Sequence, residues 1–168
     1  MAAGIVPSWS SVTDVDVDAW DEVFRVNVRA MLLSLQLLVP AMRPGSSIVA
    51  IGSDNSWRGN RRLAGYVASK HAVLGLVRSA ALELGEGGIR VNGVAPGPVA
   101  TAAHLARMQQ RERELGISVA DALEAARSIS ALRRMATEDE VAAAVVFLAS
   151  DLASGVDGQL LRVDAGEL

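Results

Sequence analysis

The feature that most constrains the fold of this sequence is its punctuation. Three short apolar runs rich in β-branched residues, 47–51, 89–94 and 159–163, alternate with long stretches of helical character. Runs of that length between turn signals suit strands buried on both faces. Strands separated by whole helices pair in parallel, because only a crossover returns the chain to the same end of the sheet. The pattern predicts an α/β architecture, a parallel sheet with helices on both faces.

Local signals place the elements. Asp14, Asp16 and Asp18 bring capping oxygens and negative charge ahead of a helix over 19–42, which Pro44-Gly45 closes. A polar loop over 53–62 leads to a second helix over 63–84, ended by Gly85-Glu86-Gly87-Gly88. Pro96-Gly97-Pro98 breaks the chain again, and 101–134 reads as amphipathic helix with a restart at Gly116-Ile117-Ser118. Thr137-Glu138-Asp139-Glu140 has the form of a capping box and predicts a helix over 138–150. The first helix begins so early that only the tip of a strand fits ahead of it. A three-stranded parallel sheet would leave an apolar edge open, so the expectation is a chain truncated at its N-terminal side.

Composition narrows the functional classes. The 168 residues suit a single domain spanning 1–168, and a net charge of -3 gives no electrostatic reason to expect nucleic acid. With no cysteine there are no disulfides or thiolate chemistry, which fits a cytoplasmic setting. The start has no basic region of a signal peptide. The apolar stretch 30–42, interrupted by Gln36 and Pro40, falls short of the roughly 20 residues of a membrane span, so no membrane partner is expected. His71 and His104 lack partners at ligand spacing, and no metal site is expected.

The basic residues are unevenly used. Fifteen of sixteen are arginine; the single lysine is Lys70, four positions after the single tyrosine, Tyr66. On a helix, i and i+4 share a face. The pair can be an acid–base couple, since a phenol titrates near 10 and a neighbouring ammonium favours its ionised form. It can equally be one aromatic and one charge on a surface. Ser53 stands just past the strand 47–51, at the sheet edge where open α/β folds bind ligands. Asn27 sits inside a helix, where asparagine is mildly unfavourable and calls for a partner or solvent.

Together these residues resemble a family. Ser53, thirteen residues before Tyr66, followed by Tyr66-Val67-Ala68-Ser69-Lys70, resembles the active-site signature of the short-chain dehydrogenases/reductases. Ala2-Ala3-Gly4 is similar to its N-A-G segment, Val26-Asn27-Val28 to the segment bearing its catalytic asparagine, and 95–101 to its P-G-x-V-x-T stretch. Val163-Asp164-Ala165-Gly166 is similar to the terminal V-D-G-G. The resemblance implies a Rossmann-like doubly wound parallel sheet, N-terminally truncated. It also implies hydride transfer between NAD or NADP and a small-molecule alcohol or ketone. By the same resemblance Tyr66 would be the general acid/base, and Lys70 would lower its pKa and hold the nicotinamide ribose. Ser53 would bind the substrate oxygen, and Asn27 would hold a water relaying the proton toward Lys70. Gly4, Pro96, Gly97, Val99 and Thr101 would border the cofactor with Tyr66 and Lys70.

One departure weighs on this reading. The sequence contains no strand–glycine turn–helix, the first βαβ half, whose backbone amides approach a pyrophosphate. Gly85 to Gly88 follow a helix and precede a strand, the reverse of that context. Cofactor binding by this chain alone is therefore expected to be weak, and the alternative is a catalytically silent remnant acting through association. Trp57, Arg58, Arg61 and Arg62 read as a solvated basic loop, with an anionic substrate group as the other possibility. The helix 63–84 carries small residues and is apolar nearly all round, which predicts burial on both sides; the family uses the equivalent helix to form homo-oligomers, dimers or tetramers.

Overall fold

The computed structural model describes residues 4–167. Asp16 caps the first helix, accepting from the amides of Asp18 and Ala19 at 2.9 and 3.3 Å. Helix α1 covers Val17–Phe24 and α2 covers Ala30–Leu38, joined by a π turn at Arg25–Arg29 and closed by a 3-10 turn at Val39–Ala41. The run starts two residues earlier than the sequence pattern places it. At 25 residues, with a mean hydropathy of 1.3 over its most apolar window, it meets the length and composition of a membrane span, unlike the shorter stretch read above. Here its inner side, with Met31 and Leu35, packs into the core.

Strand β1 (Ser47–Ile51) leads through a 3-10 turn to α3 (Ala64–Leu84), then to β2 (Arg90–Pro96). Helices α4 (Ala102–Leu115), α5 (Val119–Ser128) and α6 (Glu138–Ala149) follow, and β3 (Leu160–Val163) completes the sheet. The order is β1-β2-β3, all parallel, with Ala50 opposite Gly93 and Gly93 opposite Leu160. Strand β2 is central, and Val91 to Ala95 are buried. On one face Ile48, Ala50 and Val91 meet Met31, Leu35, Val73 and Val77; on the other, Val94 meets Leu148 and Ala153. Helices thus cover both faces, the doubly wound α/β arrangement. The capping box is present: Thr137 accepts from the Glu140 amide at 3.2 Å, and Glu140 accepts from the Thr137 amide at 2.9 Å.

One expectation fails. Helical structure ends at Ser128 rather than Arg134. The Ser130 hydroxyl donates to the Arg134 carbonyl at 2.7 Å and accepts from its amide, a local alternative to helix. The amides of Ala131 and Leu132 donate instead to Gly166 and Ala165. Within one chain α3 is covered on one side: Val73, Leu74 and Val77 are buried, while His71, Gly75, Arg78, Ser79 and Leu82 are exposed.

Gly93 sets the spacing at the sheet centre. A β-carbon there would come within 2.3 Å of Leu160 Cδ1 and 2.9 Å of the Ala50 carbonyl oxygen. Leucine can rotate away, but the strand backbone cannot. Gly93→Ala is expected to destabilise the chain by about 3 kcal/mol in urea unfolding, with only partial recovery in Gly93→Ala/Leu160→Ala. Full recovery in the double variant would show that only the leucine objects.

Candidate active site

Beyond β1 the sheet edge opens at Ser53, which is extended and 5% exposed. Its hydroxyl donates to Asp54 Oδ1 at 2.7 Å and accepts from the Asn55 amide at 3.2 Å, fixing its rotamer. Asp54 is itself buried and pairs with Arg58 at 2.5 Å; the other arm of Arg58 reaches the buried Glu167 at 2.5 Å. Burial works against the Arg58 charge, yet the two carboxylates hold it above its ordinary value. Burial raises the Glu167 carboxyl against the pull of Arg58. Arg58 is therefore a bridge between two buried acids, not part of a solvated basic loop. Arg61 and Arg62 of the same loop are exposed.

Helix α3 brings Tyr66 and Lys70 to this edge, one turn apart. Tyr66 and Ser53 border the same cavity. Lys70 Nζ donates to the Ile51 carbonyl at 3.0 Å and lies 5.7 Å from the centre of the Tyr66 ring. Burial brings Lys70 down to about 8. Burial also raises Tyr66, with Asp54 adding to the rise while Ser53 and Arg107 oppose it. Desolvation outweighs the groups that favour the phenolate.

Asn27 falls in the π turn, a helix irregularity that recurs at functional sites. Its side chain accepts from the Ile5 amide at 2.8 Å and donates to the Ile5 carbonyl and to Ser69 Oγ, each at 3.0 Å. Both amide hydrogens are used, so the side chain staples the π turn to Ile5 and Ser69. Ser69, fully buried, donates to the Tyr66 carbonyl at 2.7 Å and extends the staple to the tyrosine. Gly4 lies alongside: a β-carbon there would sit 3.5 Å from Asn27 Oδ1 and 3.7 Å from Lys70 Nζ. Ala2 and Ala3 lie outside the described residues.

The segment after β2 completes one wall. Pro96 ends the strand, and Gly97 packs so closely on the terminal loop that a β-carbon would come 2.7 Å from Asp164 Cβ. Val99 bridges to Ala136, and Thr101 caps α4, accepting from the His104 amide at 2.9 Å. A nicotinamide end fits what is present: Lys70 is a buried cation with one named acceptor, Gly4 leaves room beside it, and the α4 N-terminus lies behind Pro96–Thr101. No group of three potential metal ligands occurs among the described residues.

Between this wall and the 53–62 loop lies a cavity of about 600 Å³, bordered by Ser53, Tyr66, Gly97, His104, Arg107 and Met108. Sequence reasoning singled out His104 in α4 but missed Arg107. It also missed Asp54, Ser69 and Glu167. The signal for the α4 group was available: 104, 107, 108 and 111 share one helical face.

A family model described as enoyl-(acyl carrier protein) reductase matches residues 1–167. A short chain dehydrogenase/reductase, astE, of Aspergillus oryzae is 38% identical over 167 residues, covering 98% of this chain and 61% of that protein. Among solved structures, a short chain dehydrogenase family protein from Francisella tularensis superposes with a TM-score of 0.91 at 32% identity, covering 98% of this chain and 68% of that one. A putative NAD(P) dependent gluconate 5-dehydrogenase from Beutenbergia cavernae, with bound NADP, gives 0.84 at 39%, covering 98% and 63%. The chain thus spans just over three fifths of the curated relative's length. Signature, sheet topology and these likenesses agree: the chain belongs to the short-chain dehydrogenase/reductase family.

Proposed function

We propose that the chain is the catalytic portion of an NAD(P)-dependent oxidoreductase interconverting an alcohol and a carbonyl compound. The observation that carries this reading is that Ser53 and Tyr66 border one cavity, with Lys70 buried one helical turn from the tyrosine. In reduction, Tyr66 gives its proton to the carbonyl oxygen as hydride reaches carbon; in oxidation, it takes that proton back. A phenol held above its ordinary value arrives protonated at neutral pH, which suits the acid role. Ser53 holds the substrate oxygen as charge develops on it. Lys70, charged at neutral pH, presents its ammonium to the ribose. Asn27 acts as a positioning residue, fixing Ser69 and hence the Tyr66 backbone. Pro96, Gly97, Val99 and Thr101 border the nicotinamide, whose ring supplies or accepts the hydride when bound.

The direct test is isotope transfer. With nicotinamide cofactor deuterated at C4, in excess, and a panel of prochiral ketones, mass spectrometry is expected to find deuterium on the carbinol carbon. No labelled alcohol from any ketone would favour the second reading, association without catalysis. That reading draws support from the small residues Ala68, Ala72, Gly75 and Ser79 on α3.

Affinity is a separate matter. The residues present hold the nicotinamide end, and the sequence offers no strand–glycine turn–helix for the pyrophosphate. Calorimetry on the 168-residue chain is expected to show NADH and NADPH binding weaker than micromolar. Micromolar affinity would show that the nicotinamide end suffices.

A further inference from the structure

The arginines of the cavity are not equivalent once their charges are matched. Arg58 is answered twice, by Asp54 and Glu167. Arg107 is held by neutral partners: its guanidinium stacks 3.9 Å from the Trp9 ring, and Nη1 donates to the Pro7 carbonyl at 3.1 Å. Its Nη2 is buried with no hydrogen-bond partner. One turn further along α4, Arg111 Nε is buried and equally unpartnered. Among the described residues neither guanidinium forms an ion pair, and Asp54, already bridged by Arg58, is the only carboxylate bordering the cavity. Glu114, the nearest acid acting on Arg107, is exposed and accepts from Gln110.

Buried charge is ordinarily paired, because leaving water is costly without a counter-ion. Burial pulls Arg107 below its ordinary value, Tyr66 and Glu114 pull the other way, and the like charge of Arg111 adds to the fall. His104, on the same face, does not add to the positive charge at pH 7, since burial and then Arg107 lower it. Arg107 is also preorganised: a stacked ring and a fixed carbonyl leave its guanidinium little freedom to lose on binding.

Resting on the oxidoreductase reading, we propose that the substrate carries a carboxylate, received by Arg107 and Arg111 at the α4 side of the cavity. Two guanidinium groups on one helical face match a planar anion able to accept from both. Arg107 and Tyr66 border the same cavity, so the carboxylate and the reacting carbon share it. The rest of the substrate meets Met108, Leu115 and Ile117.

The test separates this from the redox reading by measuring binding without cofactor. Calorimetry on the chain would compare 4-oxopentanoate, 5-oxohexanoate and 6-oxoheptanoate with their methyl esters. At least one acid is expected to bind about tenfold more tightly than its ester. Arg107→Gln and Arg111→Gln should each remove most of that preference while leaving ester affinity unchanged. Among the described residues Arg111 makes no side-chain hydrogen bond or ion pair, so its variant remains decisive if Arg107→Gln disturbs the Trp9 segment. Equal affinity for acid and ester at every length, or variants that weaken both alike, would overturn the proposal. Deuterium transfer to esters despite equal affinities would leave the redox reading standing and remove this one. Acid preference without any transfer would do the reverse.

Discussion

Tyr66→Phe is expected to cut hydride transfer by about 10³-fold while leaving cofactor affinity within a factor of two or three. The ring remains, so the buried packing of α3 against the 53–62 loop survives, and circular dichroism should be unchanged. What is lost is the phenol hydroxyl that shares the cavity with Ser53 and would carry the substrate's proton. The loss belongs in kcat, because the proton moves only in the transition state. Turnover retained within tenfold would reject the tyrosine mechanism and shift attention to Ser53.

Lys70→Met is expected to do two things at once: lower turnover by about 10²-fold or more, and make the chain more stable. Lys70 is 5% exposed and donates to the Ile51 carbonyl, and burial brings its pKa from 10.5 to about 8. That drop corresponds to about 3 kcal/mol of cost at neutral pH. Methionine fills similar space without charge, and forfeiting the carbonyl's partner costs about 1 kcal/mol. The net expectation is a gain of about 2 kcal/mol at pH 7.

The sign of the pH dependence follows. The unfolded chain keeps the Lys70 proton up to 10.5 while the folded chain releases it near 8. Folding is therefore favoured increasingly as pH rises through that window; the gain is complete above 10.5 and lost as pH falls to about 8. Tyr66, raised in the fold, contributes oppositely: its stability is present below 10 and is lost as pH rises through its folded value. Urea unfolding between about pH 8 and 10 should show wild-type stability rising, with that rise absent in Lys70→Met. A rise of equal slope in the variant would assign it to another group.

Much of this could be read from the sequence because the decisive signals are local. Glycine and proline bracket the strands, the capping box starts α6, and Ser53, Tyr66 and Lys70 lie in one loop–helix unit. What escaped depends on distant partners. The π turn at Asn27 has no glycine or proline to announce it; the side chain's bonds to Ile5 and Ser69 tie it down. The end of α5 is imposed by the backbone of Ala165 and Gly166. Arg58 looked solvated because Glu167, its second acid, is remote in sequence. Arg107 shares a cavity with Tyr66 only because the fold brings α4 and α3 to it.

The double grip on Arg58 has a consequence for how the site is made. One acid, Asp54, leaves the ribosome just before the arginine; the other, Glu167, emerges with the last of the described residues. Until then the loop that orients Ser53 has only one of its two ionic holds, although the sheet can already pair β1 with β2. The nascent chain is thus expected to pair β1 with β2 before the loop bearing Ser53 gains its second ionic hold, so that the geometry of that loop is set only once Glu167 has been made.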